Sequence, residues 1–195
     1  MVDRPILFSA PMVRALLAGR KTQTRRIMPN HDAIAQHAEG FTPIIIGRRV
    51  YDYAGEEVLS EALFAVGDRL WVKETWRAGT SWDDNKPSMI AAHVPVDYVA
   101  SPRSGGPDGK ARPSIFMPRW ASRLTLTVTD VRVQRLQEIS EEDAIAEGVE
   151  THDGADGPVA EYEALWESIN GAGSWEANPW VVAVSFSCER RNIDA

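Results

Sequence analysis

Ser9-Ala10-Pro11-Met12-Val13-Arg14-Ala15-Leu16-Leu17-Ala18-Gly19-Arg20-Lys21-Thr22-Gln23-Thr24-Arg25-Arg26 runs from a helix pattern straight into a cluster of cations and hydrogen-bonding side chains. Ser9 stands as N-cap, Pro11 fits the first turn, and Met12, Val13, Leu16 and Leu17 form one apolar face. Gly19 fits the C′ position, where a left-handed residue ends a helix. The polar run therefore begins at a fixed point in the fold. By composition alone it reads as a solvated basic loop; as a binding element it calls for an anionic or strongly polar partner.

Outward from this stretch the chain alternates short strands with two helices. Pro5-Ile6-Leu7-Phe8 reads as an opening strand, and Thr42–Ile46 with Arg49–Tyr53 as a hairpin. Gly67-Asp68 turns into Arg69–Trp76, where Leu70, Val72 and Glu74 alternate with Trp71, Lys73 and Thr75. Leu124-Thr125-Leu126-Thr127-Val128-Thr129 alternates strictly, and its apolar phase flips before Val131 and Val133, which predicts a bulge or bend near Thr129-Asp130. A helix is expected after Ile139, with Ser140 as N-cap, Asp143 at N3, acids Glu141 and Glu142 in the first turn and Gly148 as its stop. A second helix over Val159–Ile169 places Tyr162, Leu165, Trp166 and Ile169 on one face. Trp180–Phe186 closes the chain as a buried strand. Residues 77 to 114 are rich in Gly, Pro, Ser and Asp, and Ser101–Lys110 is expected to be a mobile loop.

The spacing Gly19-x-Lys21-x-x-Thr24-x-Arg26 resembles the signature of the ASCH domain family, which has a PUA-like β-barrel fold. Most members carry Glu where Thr24 stands here. Lys21-x-x-Thr24 preceded by Leu17-Ala18-Gly19-Arg20 is similar to the small bacterial N4-acetylcytidine amidohydrolases, which hydrolyse the acetyl amide on the exocyclic nitrogen of cytidine. The Gly67-Asp68-x-Leu70-x-Val72 pattern also resembles the family's second strand. In length the chain is closest to the longer ASCH proteins carried by phages or prophages. The resemblance implies an α+β class, a single domain over 1–195 built as a PUA-like β-barrel with flanking helices, and insertions at about 30–62 and 77–114. It also implies that Glu147, in the helix after the long central strand, is catalytic, and that Arg26 is the family's closing arginine, engaged in substrate or structural pairing.

Amide cleavage sets three tasks: a nucleophile must attack, the oxyanion must be stabilised, and the leaving nitrogen must be protonated. Thr24 supplies a hydroxyl. Lys21 either deprotonates it or holds the oxyanion, and Arg20, Arg25 and Arg26 nearby favour the neutral amine by like-charge repulsion. Glu147, last before Gly148, sits where the helix dipole opposes a carboxylate charge, a position suited to carrying a proton. Direct attack by water with the same groups is the alternative. Trp76, Trp120, Trp175 and Trp180 are candidate flat surfaces for a pyrimidine, and Glu74 and Arg119 are the adjacent polar candidates for substrate binding; packing and a salt-bridged rim are the competing readings.

Composition narrows the partners. A net charge of −7 over 195 residues argues against a protein that coats nucleic acid. Yet residues 1 to 49 hold eight Lys or Arg against three acids, while residues 138 to 167 hold eleven acids and no Lys or Arg. An RNA-binding module and a ribonuclease, both found among PUA-like and ASCH relatives, are therefore the competing activities. One cysteine, Cys188, precludes an internal disulfide, and His31, His37, His93 and His152 show no zinc spacing, so no metal or cofactor is expected. Met1–Pro5 lacks the order of a signal peptide and the apolar runs are short, which predicts a cytoplasmic protein without membrane contact.

Overall fold

A computed structural model describes residues 2–28, 42–52, 54–59, 64–102, 105–150 and 157–195. The elements are β1 (Asp3–Leu7), α1 (Ala10–Leu17), β2 (Gln23–Ile27), β3 (Ile44–Ile46), β4 (Arg49–Tyr51), β5 (Glu57–Leu59), β6 (Arg69–Lys73), β7 (Trp76–Arg77), β8 (Asp97–Tyr98), β9 (Thr125–Arg135), α2 (Glu141–Ala146), α3 (Pro158–Asn170) and β10 (Trp180–Glu189). The class is mixed α and β. Among the described residues no helix is long and apolar enough to cross a membrane.

The principal sheet has five strands in the order β1-β6-β9-β10-β2. β1 runs parallel to β6, with Asp3 opposite Arg69, whereas β6 to β9 and β10 to β2 are antiparallel. This corrects the expected β-barrel: among the described residues the pairing runs from β1 to β2 without closing. A barrel requires its terminal strands to pair with each other. Here the strand pairing of β1 is with β6 and that of β2 is with β10.

The chain gathers into two compact units, one of residues 20–67 and 128–187 with Met1, the other of residues 2–19, 68–127 and 188–195. In the first unit, β2 pairs with β10 in the register Thr24 to Val184 and Arg26 to Val182. Its core joins Leu136, Ile139, Ala144, Tyr162, Trp166, Trp175 and Val181. The expected hairpin is present as β3 and β4, extended by β5 into a three-stranded sheet; the remainder of the 30–62 insertion, Tyr53 included, falls largely outside the described residues. α2 has the expected start: Ser140 is extended and its Oγ accepts the Asp143 amide at 3.1 Å. Ser140→Ala should lower stability by about 1 kcal/mol in urea denaturation, the ordinary worth of such a cap. The α3 face includes Tyr162, Leu165 and Trp166 but not Ile169, which is 62% exposed. Ile169 lies in the last turn, which runs past the core that Trp166 closes.

In the second unit, α1 buries Met12, Val13, Ala15 and Leu16 and ends at Gly19, whose φ of +73° is the left-handed value expected of that glycine. Ser9 has the extended backbone of an N-cap, but its side chain caps nothing. β6 buries Leu70 and Val72 and leaves Trp71 and Lys73 half-buried, as their alternation predicts. A second core joins Trp76, Ala78, Ile90, Val94, Met117 and Ala121. The loop expected to be mobile is held at its far end: the Gly109 amide donates to the Ala78 carbonyl at 2.9 Å, and a Cβ on Gly109 would lie 2.4 Å from that oxygen. Only a glycine fits so close to a backbone carbonyl. Residues 103 and 104 of that loop lie outside the described residues.

The phase flip along β9 is visible as burial. Leu126 and Val128 are buried, Thr129 and Asp130 are both exposed, and Val133 is buried on the shifted phase.

Candidate active site

The site lies within the first unit, where the residues that open β2 meet the C-terminal end of α2. The last carbonyls of any helix lack partners within it and attract donors and cations. The run after Gly19 supplies both. The Thr22 amide donates to the Ala146 carbonyl at 2.8 Å, and Lys21 Nζ donates to the Glu147 carbonyl at 2.6 Å. Gly148, at φ +88°, turns the chain away.

Lys21 Nζ also donates to Glu147 Oε2 at 2.8 Å, and both residues are buried, at 2% and 3% exposure. The other carboxylate oxygen, Oε1, receives Arg25 Nη1 at 3.2 Å and the Tyr162 hydroxyl at 3.5 Å. Glu147 is thus a buried carboxylate facing two cations, not an exposed group at a frayed helix end.

β2 alternates its side chains, so Gln23 and Arg25 share one side and Thr24 and Arg26 the other. On the first side, Arg25 Nη1 donates to Gln23 Oε1 at 2.5 Å and Nη2 to Asp143 Oδ2 at 2.6 Å, with the guanidinium 5.9 Å over the Tyr162 ring. Asp143 Oδ1 further accepts from Gln23 Nε2 at 3.1 Å and from Arg132 Nη2 at 3.2 Å. Opposite Arg25 on β10 stands Ala183, whose small side chain leaves room for the guanidinium. On the second side, Arg26 Nη1 donates to Thr24 Oγ1 at 2.8 Å. The contacts therefore join two of the three expected catalytic residues, Lys21 with Glu147, and pair the third, Thr24, with Arg26, which was expected in substrate or structural pairing.

The electrostatics follow from burial. Removal from water pushes the Lys21 amine below its ordinary pKa; the Glu147 carboxylate opposes this, and Arg26 and Arg25 add to it. Arg26 is also lowered by burial, against the pull of Glu147 and Tyr162. Burial drives the Tyr162 phenol up, and the Glu147 charge adds to that, so the phenol is a fixed hydrogen-bond donor. Burial works to raise Asp143, but the Gln23 hydrogen bond and the charges of Arg25 and Arg132 outweigh it and hold the carboxyl below its usual range. Arg20, expected to add repulsion, is exposed and paired with Glu150 at 2.8 Å.

Glu74, Trp76, Arg119 and Trp120 belong to the second unit and are described there. Glu74 is buried against Arg123 in a bidentate pair of 2.8 and 2.9 Å; burial raises its pKa and Arg123 opposes the rise. Trp76 is fully buried, with the Trp120 ring edge-on at 6.3 Å and the Arg112 guanidinium 5.7 Å over it. This corrects its reading as a stacking surface: a ring with no exposed face packs the core. Trp120 is half-buried at the margin of the same core. Arg119 bonds Asp3 at 2.6 Å and both oxygens of Asp194, the salt-bridged rim that was the competing reading. In the first unit, Trp175 is buried against Tyr162, and Trp180 is buried under Arg135 at 4.4 Å.

Gln23, Asp143 and Tyr162 were not among the residues expected to form the site, and Arg25 was expected only to repel the Lys21 charge. One signal existed for three of them: Gln23-x-Arg25 shares a strand face and Asp143-x-x-x-Glu147 a helix face, so a single contact between the two elements brings Gln23, Arg25, Asp143 and Glu147 together; Tyr162, on α3, is not covered by it. Among the described residues no group of three His, Cys, Asp or Glu could hold a metal ion. No protein-family model matches the chain, and no curated protein or solved structure matches it either.

Proposed function

We propose that the chain is an ASCH-type amidohydrolase that removes the acyl group from N4-acylated cytidine or a related nucleoside. The observation that carries this reading is the buried Lys21 to Glu147 contact of 2.8 Å, formed by the very motif that resembles the amidohydrolases. Burial, with two arginines nearby, makes Lys21 give up its proton more readily than an exposed lysine in spite of the opposing Glu147 charge, which suits it to proton transfer.

In the proposed reaction the Thr24 Oγ–H bond breaks, its proton passes to neutral Lys21, and Oγ adds to the acyl carbon. Arg26, already donating to Oγ1, stabilises negative charge on that oxygen as the proton leaves. The tetrahedral intermediate collapses by breaking the carbon–nitrogen bond, and the proton taken by Lys21 is delivered to the exocyclic nitrogen through the Lys21 and Glu147 pair. Water then hydrolyses the Thr24 ester, releasing the carboxylic acid. Cations supplied by the chain serve the electrostatic role, so the step requires no metal.

The RNA-binding alternative draws little from the motif. Lys21 and Arg25 are buried on Glu147 and Asp143 and are not presented to a phosphate backbone.

The test is to incubate the protein with N4-acetylcytidine, with and without EDTA, and follow cytidine and acetate. Release unaffected by chelator is expected. Thr24→Ala should lower the rate by at least about a hundredfold, and the wild type quenched early should carry one acetyl group on the peptide containing Thr24. Undiminished turnover in Thr24→Ala would replace the ester by direct water attack. Absence of product, with RNA shortened instead, would overturn the amidohydrolase reading in favour of a ribonuclease.

A further inference from the structure

Two cations meet one carboxylate in this site, and they are not equivalent. Arg25 approaches Glu147 Oε1 and Lys21 approaches Oε2. A guanidinium keeps its proton under all ordinary conditions, whereas a buried ammonium can lose one. Arg25 is moreover fixed from four directions: Gln23, Asp143 and Glu147 by hydrogen bonds and the Tyr162 ring beneath it. Its side chain is fully buried, so its charge acts on its neighbours with little screening.

We propose that Arg25 is a positioning residue that gives Glu147 a permanent counter-charge, which frees Lys21 to act as the site's proton acceptor, with Asp143 tempering the charge of Arg25. With Arg25 in place the carboxylate is compensated whether Lys21 is charged or neutral. Without it, Glu147 draws more strongly on the Lys21 proton, Arg26 being the remaining guanidinium on which its charge acts. The charged groups acting on the amine are Glu147, Arg26 and Arg25, and bonded to these in turn are the Tyr162 phenol on Glu147 and Asp143 on Arg25, with Arg132 from β9 on Asp143. Of these, Arg25 touches both carboxylates, Glu147 and Asp143, with its side chain buried. The kinetic half of this inference rests on the amidohydrolase reading; the electrostatic half does not.

The experiment compares wild type, Arg25→Met and Asp143→Asn by two readouts. The first is the titration of the Lys21 amine by NMR in protein carrying labelled lysine, without substrate, assigned with Lys21→Arg. The second is kcat/KM for N4-acetylcytidine against pH. Arg25→Met should move the Lys21 titration and the acidic limb of the rate profile to higher pH, lowering kcat/KM on that limb by about tenfold. Asp143→Asn keeps Arg25 and strips it of its partial neutralisation, so both readouts should move to lower pH. Loosening of the site with entry of water would move both variants upward. Upward movement in both, or no movement in Arg25→Met, overturns the inference. Opposite movements of the amine in a protein that leaves the nucleoside untouched would support the inference and refute the substrate reading alone. If Arg25→Met fails to fold, the direction for Asp143→Asn decides between electrostatics and loosening.

Discussion

Lys21→Met is expected to abolish hydrolysis of N4-acetylcytidine, lowering kcat/KM by about a thousandfold or more while the protein stays folded. The magnitude is that of a lost general base together with the oriented proton path it completes. Folding survives because methionine keeps the length and apolar stem of lysine, and Glu147 retains Arg25 and Tyr162 as donors. The same variant carries a stability signature with a definite sign. The folded pKa of Lys21 lies below its ordinary 10.5, chiefly through burial. Between the two values the unfolded chain binds a proton that the folded chain does not, so stability rises with pH across that window and is lost as pH falls through the folded value. Lys21→Met should flatten this dependence in urea titrations run at a series of pH values. A variant that retained activity within about tenfold would remove Lys21 from the reaction and leave it as a helix-capping cation.

Some of this site was legible in the sequence because local rules specify it. Gly19 and Gly148 mark two helix ends, and the resemblance carried by the motif after Gly19 is what put Lys21 and Glu147 on the same short list. Ser140 and Asp143 announced α2 through its cap. What could not be read was whatever depends on which strands and faces meet. Asp143 was legible as an N3 residue but not as the partner of Arg25, because that contact is set by the approach of β2 to α2. Trp76 beside polar neighbours looked available to a base; its burial is decided by Trp120, Met117 and Arg112, far along the chain. The barrel failed for a similar reason. β6, β9 and β10 were visible in their own sequence patterns while β5 and β8 were not, and closure depends on what the terminal strands pair with, which no local pattern encodes.

Glu147→Leu should destabilise the protein by about 3–5 kcal/mol, the largest effect on stability expected of any single change in this site. The glutamate is the point at which Lys21, Arg25 and Tyr162 converge, and all of them are buried. Removing it takes the carboxylate from the Lys21 ammonium, which keeps its bond to the Glu147 main-chain carbonyl, and from the Arg25 guanidinium, which keeps its bonds to Asp143 and Gln23. A buried charge deprived of its counterion costs more than the pair contributed, because the desolvation already spent on the cation is no longer offset. The double variant Lys21→Met with Glu147→Leu removes both charges and refills the volume with apolar atoms. It should therefore lose less stability than the sum of the two single changes, by about 0.5–3 kcal/mol. Denaturant unfolding of the wild type, both singles and the double at one pH gives this coupling directly. Additive losses would mean that the two side chains, although 2.8 Å apart, are screened as though they stood at the surface. A strong coupling would mark the pair as shielded from solvent, the condition that lowers the Lys21 pKa and lets the amine give up its proton more readily than an exposed lysine.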